Sequence, residues 1–158
     1  MAGSVFSEKN HVVMLTVPVA NFAAGTVTSD EINIENYHHI TFYRYQGTGT
    51  TGTSTITVEA CSNTSGSNNT AIVFKYREMT TNDTWGAVTA ATTAGFTTTA
   101  GSDGMWAIEV DAQEAAYLGY NYVRLVMTEV AASAVVGCTF AILSEPRYAE
   151  DIQGTVLT

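Results

Sequence analysis

Ser54-Thr55-Ile56-Thr57-Val58-Glu59-Ala60 alternates polar and apolar side chains without a break. Successive side chains of a strand point to opposite faces, so Ile56, Val58 and Ala60 share one face and Thr55, Thr57 and Glu59 the other. That is the pattern of a sheet packed on one side and wet on the other. The same period recurs to either side. Residues 71–79 set Ile72, Phe74 and Tyr76 against Val73, Lys75 and Arg77, and residues 105–111 put Trp106, Ile108 and Val110 on a core face with Glu109 and Asp111 outside. Residues 39–46 alternate Ile40 and Phe42 with Thr41, Tyr43 and Tyr45, so both faces carry bulk. Residues 120–130 and 135–143 are long apolar strands joined by a turn at 131–134, and their composition places them centrally. Residues 11–20 include Pro18, which cannot donate to a ladder, and read as an edge strand or as a strand that bends at its end. Residues 27–34 form a further strand, with Ile32 and Ile34 on one face.

The connections are as informative as the strands. Residues 47–54 (Gly-Thr-Gly-Thr-Thr-Gly-Thr-Ser) and the polar stretch 62–69 read as hairpin loops, and residues 82–104 as short strands and long loops around the anchors Trp85, Val88 and Phe96. Residues 112–118 are the one helical segment, with Asp111 as N-cap and Gly119 closing it. Eight or nine strands at about ten-residue spacing predict an all-β fold: an antiparallel β-sandwich of jelly-roll type with at most one short helix, a small barrel being the alternative. The chain divides into an N-terminal arm (1–10), the sandwich domain (11–146) and a C-terminal tail (147–158).

Composition bounds the function. A chain of 158 residues buries roughly 68–70% of its unfolded surface, enough for a core without staples. Only 13% of residues are charged, against about 25% in a typical domain, and 25 threonines help to cover the surface instead. A net charge of −9 with six Lys and Arg excludes nucleic acid as a partner, because a polyanion is bound by neutralising its phosphates. The apolar runs fall far short of the roughly 20 residues that span a bilayer, so no membrane role is expected. Residues 1–9 have no basic stretch followed by an apolar one, so no secretory signal is expected. Cys61 and Cys138 lie in apolar runs and read as small buried hydrophobes, not as a disulfide. The sequons at Asn63, Asn68 and Asn82 mark polar turns.

Little in the chain converges on chemistry. His38 and His39 are adjacent, so in a strand they face opposite sides and do not share a metal, and His11 stands alone. Glu109 and Asp111 share a strand face, with Asp103 in a nearby turn, but their spacing matches no calcium loop. Gly47-x-Gly49-x-x-Gly52 matches a dinucleotide fingerprint in letters only, since a strand follows it where a helix is required. No nucleophile motif is present. Trp85 with Tyr43 and Tyr45 is the one candidate sugar-stacking platform. The expectation is a non-enzymatic protein with no catalytic residue, cofactor or metal, working through protein contacts. Tyr43, Tyr45, Tyr122 and Arg124, with Val126, place bulk on sheet faces that water would otherwise cover. The arms carry Val5, Phe6, Arg147, Tyr148, Ile152, Val156 and Leu157, more apolar weight than solvation needs. These residues are the expected partner interface, in a closed cyclic homo-oligomer.

Three stretches carry a family resemblance: Gly119-Tyr120-Asn121-Tyr122-Val123-Arg124-Leu125, Ile142-Leu143-Ser144-Glu145-Pro146-Arg147-Tyr148, and Asp83-Thr84-Trp85-Gly86-Ala87 with the Thr/Ala/Gly loop after it. Over roughly residues 70–150 the chain resembles small virion proteins of tailed bacteriophages. The resemblance implies a capsid cement or decoration protein, a β-sandwich that binds the major capsid protein on the assembled head lattice, commonly as a homotrimer. It transfers no functional residue, and it does not cover His38 and His39. A tail or head-tail connector component and a carbohydrate-binding module are the alternatives. The expected location is the virion capsid surface, after synthesis in the host cytoplasm.

Overall fold

The chain's period-two pattern of burial sorts its strands into two layers. The computed structural model describes residues 5–22, 24–101 and 103–148. In order, these form α1 (Phe6–Lys9), β1 (His11–Val19), β2 (Thr26–Thr28), β3 (Ile32–Asn33), β4 (Tyr37–Gly49), β5 (Thr53–Cys61), β6 (Asn69–Ile72), β7 (Phe74–Thr81), β8 (Thr84–Trp85), β9 (Thr89–Ala91), β10 (Phe96–Thr97), β11 (Gly104–Asp111), α2 (Ala112–Ala116), β12 (Tyr122–Ala131) and β13 (Val135–Pro146). The first sheet runs β1-β13-β4-β11-β7-β8, with β9 also on β7. The second runs β10-β5-β12-β2, with β3 on β12 and β6 on β5. All the pairings are antiparallel.

The first long strand pairs with the last, and the chain passes back and forth between the layers, which is the jelly-roll arrangement. Ile40, Phe42, Trp106, Ile108, Ala141 and Leu143 from one sheet meet Ile56, Val58, Val123, Leu125 and Met127 from the other, all essentially without solvent exposure. Phe22, from the β1–β2 connection, closes one end of this core, and its N–H donates to the Val135 carbonyl at 2.9 Å.

Several expectations hold. β5 buries Ser54, Ile56, Val58 and Ala60 and leaves Thr55, Thr57 and Glu59 half-buried. β1 is an edge strand, its ladder to β13 broken by irregularities between Met14 and Thr16 and between Thr16 and Val19. β12 and β13 lie inside their sheets. Asp111 caps α2 by accepting the Gln113 N–H at 2.9 Å, and Gly119 takes the left-handed φ of +78° just beyond the helix. Cys61 and Cys138 are both free.

Others are corrected. The stretch 47–54 is not a hairpin loop but a crossing between layers, because β4 belongs to the first sheet and β5 to the second. β12 and β13, on either side of their turn, are likewise in different sheets. Residues 71–79 are two strands: β6 pairs with β5, and at Val73 the chain crosses to form β7 against β11. Residues 27–34 split into β2 and β3 around Ser29, whose hydroxyl accepts the Leu125 N–H at 2.9 Å. Alternation reports inside and outside, and both layers share one inside, so the period is unchanged when a strand changes sheet. Val88 is exposed and anchors nothing, whereas Phe96 stacks on Tyr76 with ring centroids 3.7 Å apart. There are two short helices among the described residues, one more than expected. The extra one, α1, is a single turn held by the Glu8 carboxylate accepting the Val5 N–H at 2.9 Å, too short to show a helical period.

Candidate functional site

The two outer faces of the sandwich differ in chemistry. On the second sheet, Thr55, Thr57 and Glu59 of β5 lie opposite Thr128, Val126 and Arg124 of β12. Arg124 spans two carboxylates there, with Nη1 2.9 Å from Glu31 Oε1 and Nη2 2.7 Å from Glu59 Oε2. Burial acts to lower its pKa, but the hydrogen bonds to Glu59 and Glu31 outweigh it and the net shift is upward. Gly66, at φ +59°, lets the 62–68 loop close over this cluster, where a Cβ would collide with the guanidinium.

The first sheet is different outside. Register places Val12 of β1 beside Ile142 of β13 and Thr41 of β4; Met14 beside Phe140 and Tyr43; and Cys138 beside Tyr45, which faces Met105 of β11. Tyr43 and Phe140 stack at 5.1 Å. Val12 is 53% exposed, Met14 65% and Tyr45 45%, and Val136, Val17 and Val19 are also open to water. No Asp, Glu, Lys or Arg occurs between Lys9 and Asp30 or between Glu129 and Glu145, so β1 carries no charge and β13 none before Glu145. Of the expected interface residues, Tyr43 and Tyr45 belong to this apolar face, and Tyr122 and Arg124 to the opposite, polar one. The structure therefore does not bring those four together, and Arg124 is committed to Glu31 and Glu59. Val5, Phe6, Arg147 and Tyr148 are exposed, Val5 and Phe6 in and beside α1 and the other two just beyond β13, where the Arg147 N–H donates to the Asn36 carbonyl at 2.9 Å. Ile152, Val156 and Leu157 lie outside the described residues.

Val12, Met14, Cys138, Phe140 and Ile142 were not picked out by alternation, because β1 and β13 are apolar on both faces. That double-sided pattern is itself the signal. A strand apolar on both faces needs cover on both, and among the described residues only the inner face has it.

The chemical candidates disperse. His38 is exposed and His39 half-buried, and His39 Nε2 lies 3.6 Å from Glu109 Oε2. Arg77 Nε stands 3.7 Å from the other oxygen of Glu109, an ion pair too long to be a hydrogen bond, with its guanidinium over the Trp85 ring. Asp111 is occupied in capping α2, and Asp103 sits at the far end of β11. Among the described residues no group of three His, Cys, Asp or Glu is placed to hold a metal. Trp85 on β8 is separated from β4, which carries Tyr43 and Tyr45, by β11 and β7, so the three do not form one platform. His11 stacks on Tyr37. No helix of the described residues is long and apolar enough to cross a membrane.

One internal charge escaped the sequence reading. Arg44 faces inward from β4 with no solvent exposure, between the rings of Phe22 and Trp106 at 5.1 and 4.8 Å. Its Nη1 donates to Gln46 Oε1 at 2.7 Å, while Nε and Nη2 have no hydrogen-bond partner among the described residues. Burial pushes its pKa down to about 10, which leaves it charged at neutrality.

Fold and surfaces together define a jelly-roll β-sandwich whose second sheet is polar outside and whose first sheet is apolar outside over β1, β13 and β4 and charged over β11 and β7, where His39, Arg77 and Glu109 meet. No protein-family model, curated protein or solved structure matches the chain.

Proposed function

We propose that this chain is a non-enzymatic virion structural protein, a cement or decoration protein that binds the assembled capsid lattice of a tailed bacteriophage and stabilises it as a closed cyclic homo-oligomer, most simply a trimer. The observation that supports this reading best is the apolar, uncharged outer face of β1, β13 and β4 on a chain of net charge −9. An exposed face of that kind favours protein contact over solvent. The resemblance of residues 70–150 to small phage virion proteins points the same way. In this reading the major capsid protein is the partner, the protein is made in the host cytoplasm, and it ends on the capsid surface.

The test is to add purified protein to phage heads that lack it and to count bound copies while heating the particles. Saturable binding, with a higher temperature of head disruption, is the expected result. Binding to tails or portal rings alone would replace the reading with a connector role. Binding of the monomer to glycans, with none to heads, would replace it with a carbohydrate-binding module.

A further inference from the structure

We propose that the outer face formed by β1, β13 and β4, together with the free edge of β1, is the surface on which a second copy of this chain docks. The inference rests on the self-association part of the function proposed above and names the surface that would carry it.

Electrostatics selects the occupant. The chain has 15 acidic residues against six basic ones, so two copies repel over most approaches. Of the basic residues, Arg44 is buried and Arg124 is paired with Glu31 and Glu59, which leaves little positive surface to receive an acidic sister. The face of β1, β13 and β4 is where like copies meet without charge facing charge, since Val12, Met14, Cys138, Phe140, Ile142, Thr41, Tyr43 and Tyr45 are all uncharged.

Geometry sets the kind of contact. Three strands about 4.8 Å apart and nine residues long at about 3.3 Å per residue give a flat footprint of roughly 400 Å². That is about half of the ~800 Å² per partner that a standard interface buries, so the adjoining β1 edge belongs to the contact. Regular pairing of β1 with β13 is confined to its first half, and Pro18 with the two irregularities disrupts the second half. The edge is thus shaped for side-chain packing by Val17 and Val19 more than for extension of the sheet into a neighbour. Cys138, half-buried on this face, reports on it, whereas Cys61 is wholly buried.

The test compares the full chain with the double variant Val12→Lys plus Met14→Lys, both side chains exposed so that the fold is spared, and with Thr128→Lys on the opposite face as control. Sedimentation should show the parent and the control associating, and the double variant dissociating at a concentration roughly tenfold or more higher. In the parent, maleimide labelling of Cys138 should slow as protein concentration rises, a readout that needs no variant. A parent that stays monomeric at 100 µM (a concentration of order 10⁻⁴ M, generous for a standard interface), a double variant that associates like the parent, or Cys138 labelling independent of concentration would each overturn the proposal. Head binding separates it from the functional reading: association through this face with no binding to heads leaves it standing alone. A parent that is monomeric yet loses head binding in the double variant assigns the face to the capsid instead.

Discussion

Arg44 pits two effects against each other. Stacking between Phe22 and Trp106 returns about 0.5–2 kcal/mol per ring, while taking an unpaired guanidinium out of water costs several. Desolvation wins, because among the described residues no carboxylate answers the charge and Gln46 alone bonds to it. Arg44→Met, close in volume and uncharged, is expected to melt at or above the parent temperature. Arg44→Ala leaves a cavity between two rings and is expected to lose about 2–4 kcal/mol in urea unfolding. Cys61 gives a pH signature. Burial raises its thiol to about 11; Arg124 lowers it, and Glu31 and Glu59 raise it further. The unfolded thiol ionises near its ordinary value of 9.0, so between 9 and 11 the unfolded chain holds fewer protons than the folded one. The contribution is therefore complete below pH 9 and is lost as pH rises towards 11. Denaturant unfolding from pH 8 to 10.5 should show a steeper alkaline loss for the parent than for Cys61→Ala, and equal slopes would refute the assignment.

Elements here depend on a few local bonds set against broad packing. α2 has five residues and buries only Ala112 and Ala115, so its start depends on the Asp111 cap. Asp111→Ala should cost about 1 kcal/mol, while Asp111→Asn, which still caps, should cost a fraction of that; thermal melts of the two variants decide it. β1 is held differently. Val13 and Leu15 enter the core, and Thr16 Oγ1 accepts the Thr139 N–H at 2.8 Å across an irregular ladder. Its remaining apolar side chains, Val12, Met14, Val17 and Val19, are exposed and contribute nothing to the inner core.

At the scale of the molecule, net charge and chain ends are the levers. Because the proposed contact face is uncharged while each copy carries −9, raising ionic strength should screen repulsion and strengthen self-association. Sedimentation at ~20 mM and ~300 mM salt, where the Debye length falls from about 20 to 6 Å, should show tighter association at the higher value. The reverse order would place ion pairs at the contact. The core cluster of the described residues runs from Val13 to Leu143. Removing residues 149–158 is expected to leave the thermal transition within about 2 °C, a shift of about 0.5–1 kcal/mol for a chain of this length, and to weaken attachment to heads or sister copies. Unchanged attachment, or outright unfolding, would show the tail to be misassigned.

The all-β class, the choice of edge or bend for β1, the inward set Ile56, Val58, Trp106, Ile108 and Val110, and the Asp111 cap were determined by the sequence alone. Each follows from a local rule: side-chain alternation, proline's missing donor, or a carboxylate one residue before a helix. Which sheet each strand joins was decided only in three dimensions, because β4 and β5 show the same period whether they pair as a hairpin or face each other across a core. Arg44 escaped for a related reason: alternation put it on the inward face, but a charge is assigned to water until Phe22 and Trp106 are seen to enclose it. The apolar face escaped as well. Val12 and Met14 stand two apart in sequence, far from the rest of the face, and it takes the registry of β1 on β13 and of β13 on β4 to lay them beside Ile142, Phe140 and Tyr43. Local chemistry sets the state of each residue, and long-range strand pairing sets which residues share a surface.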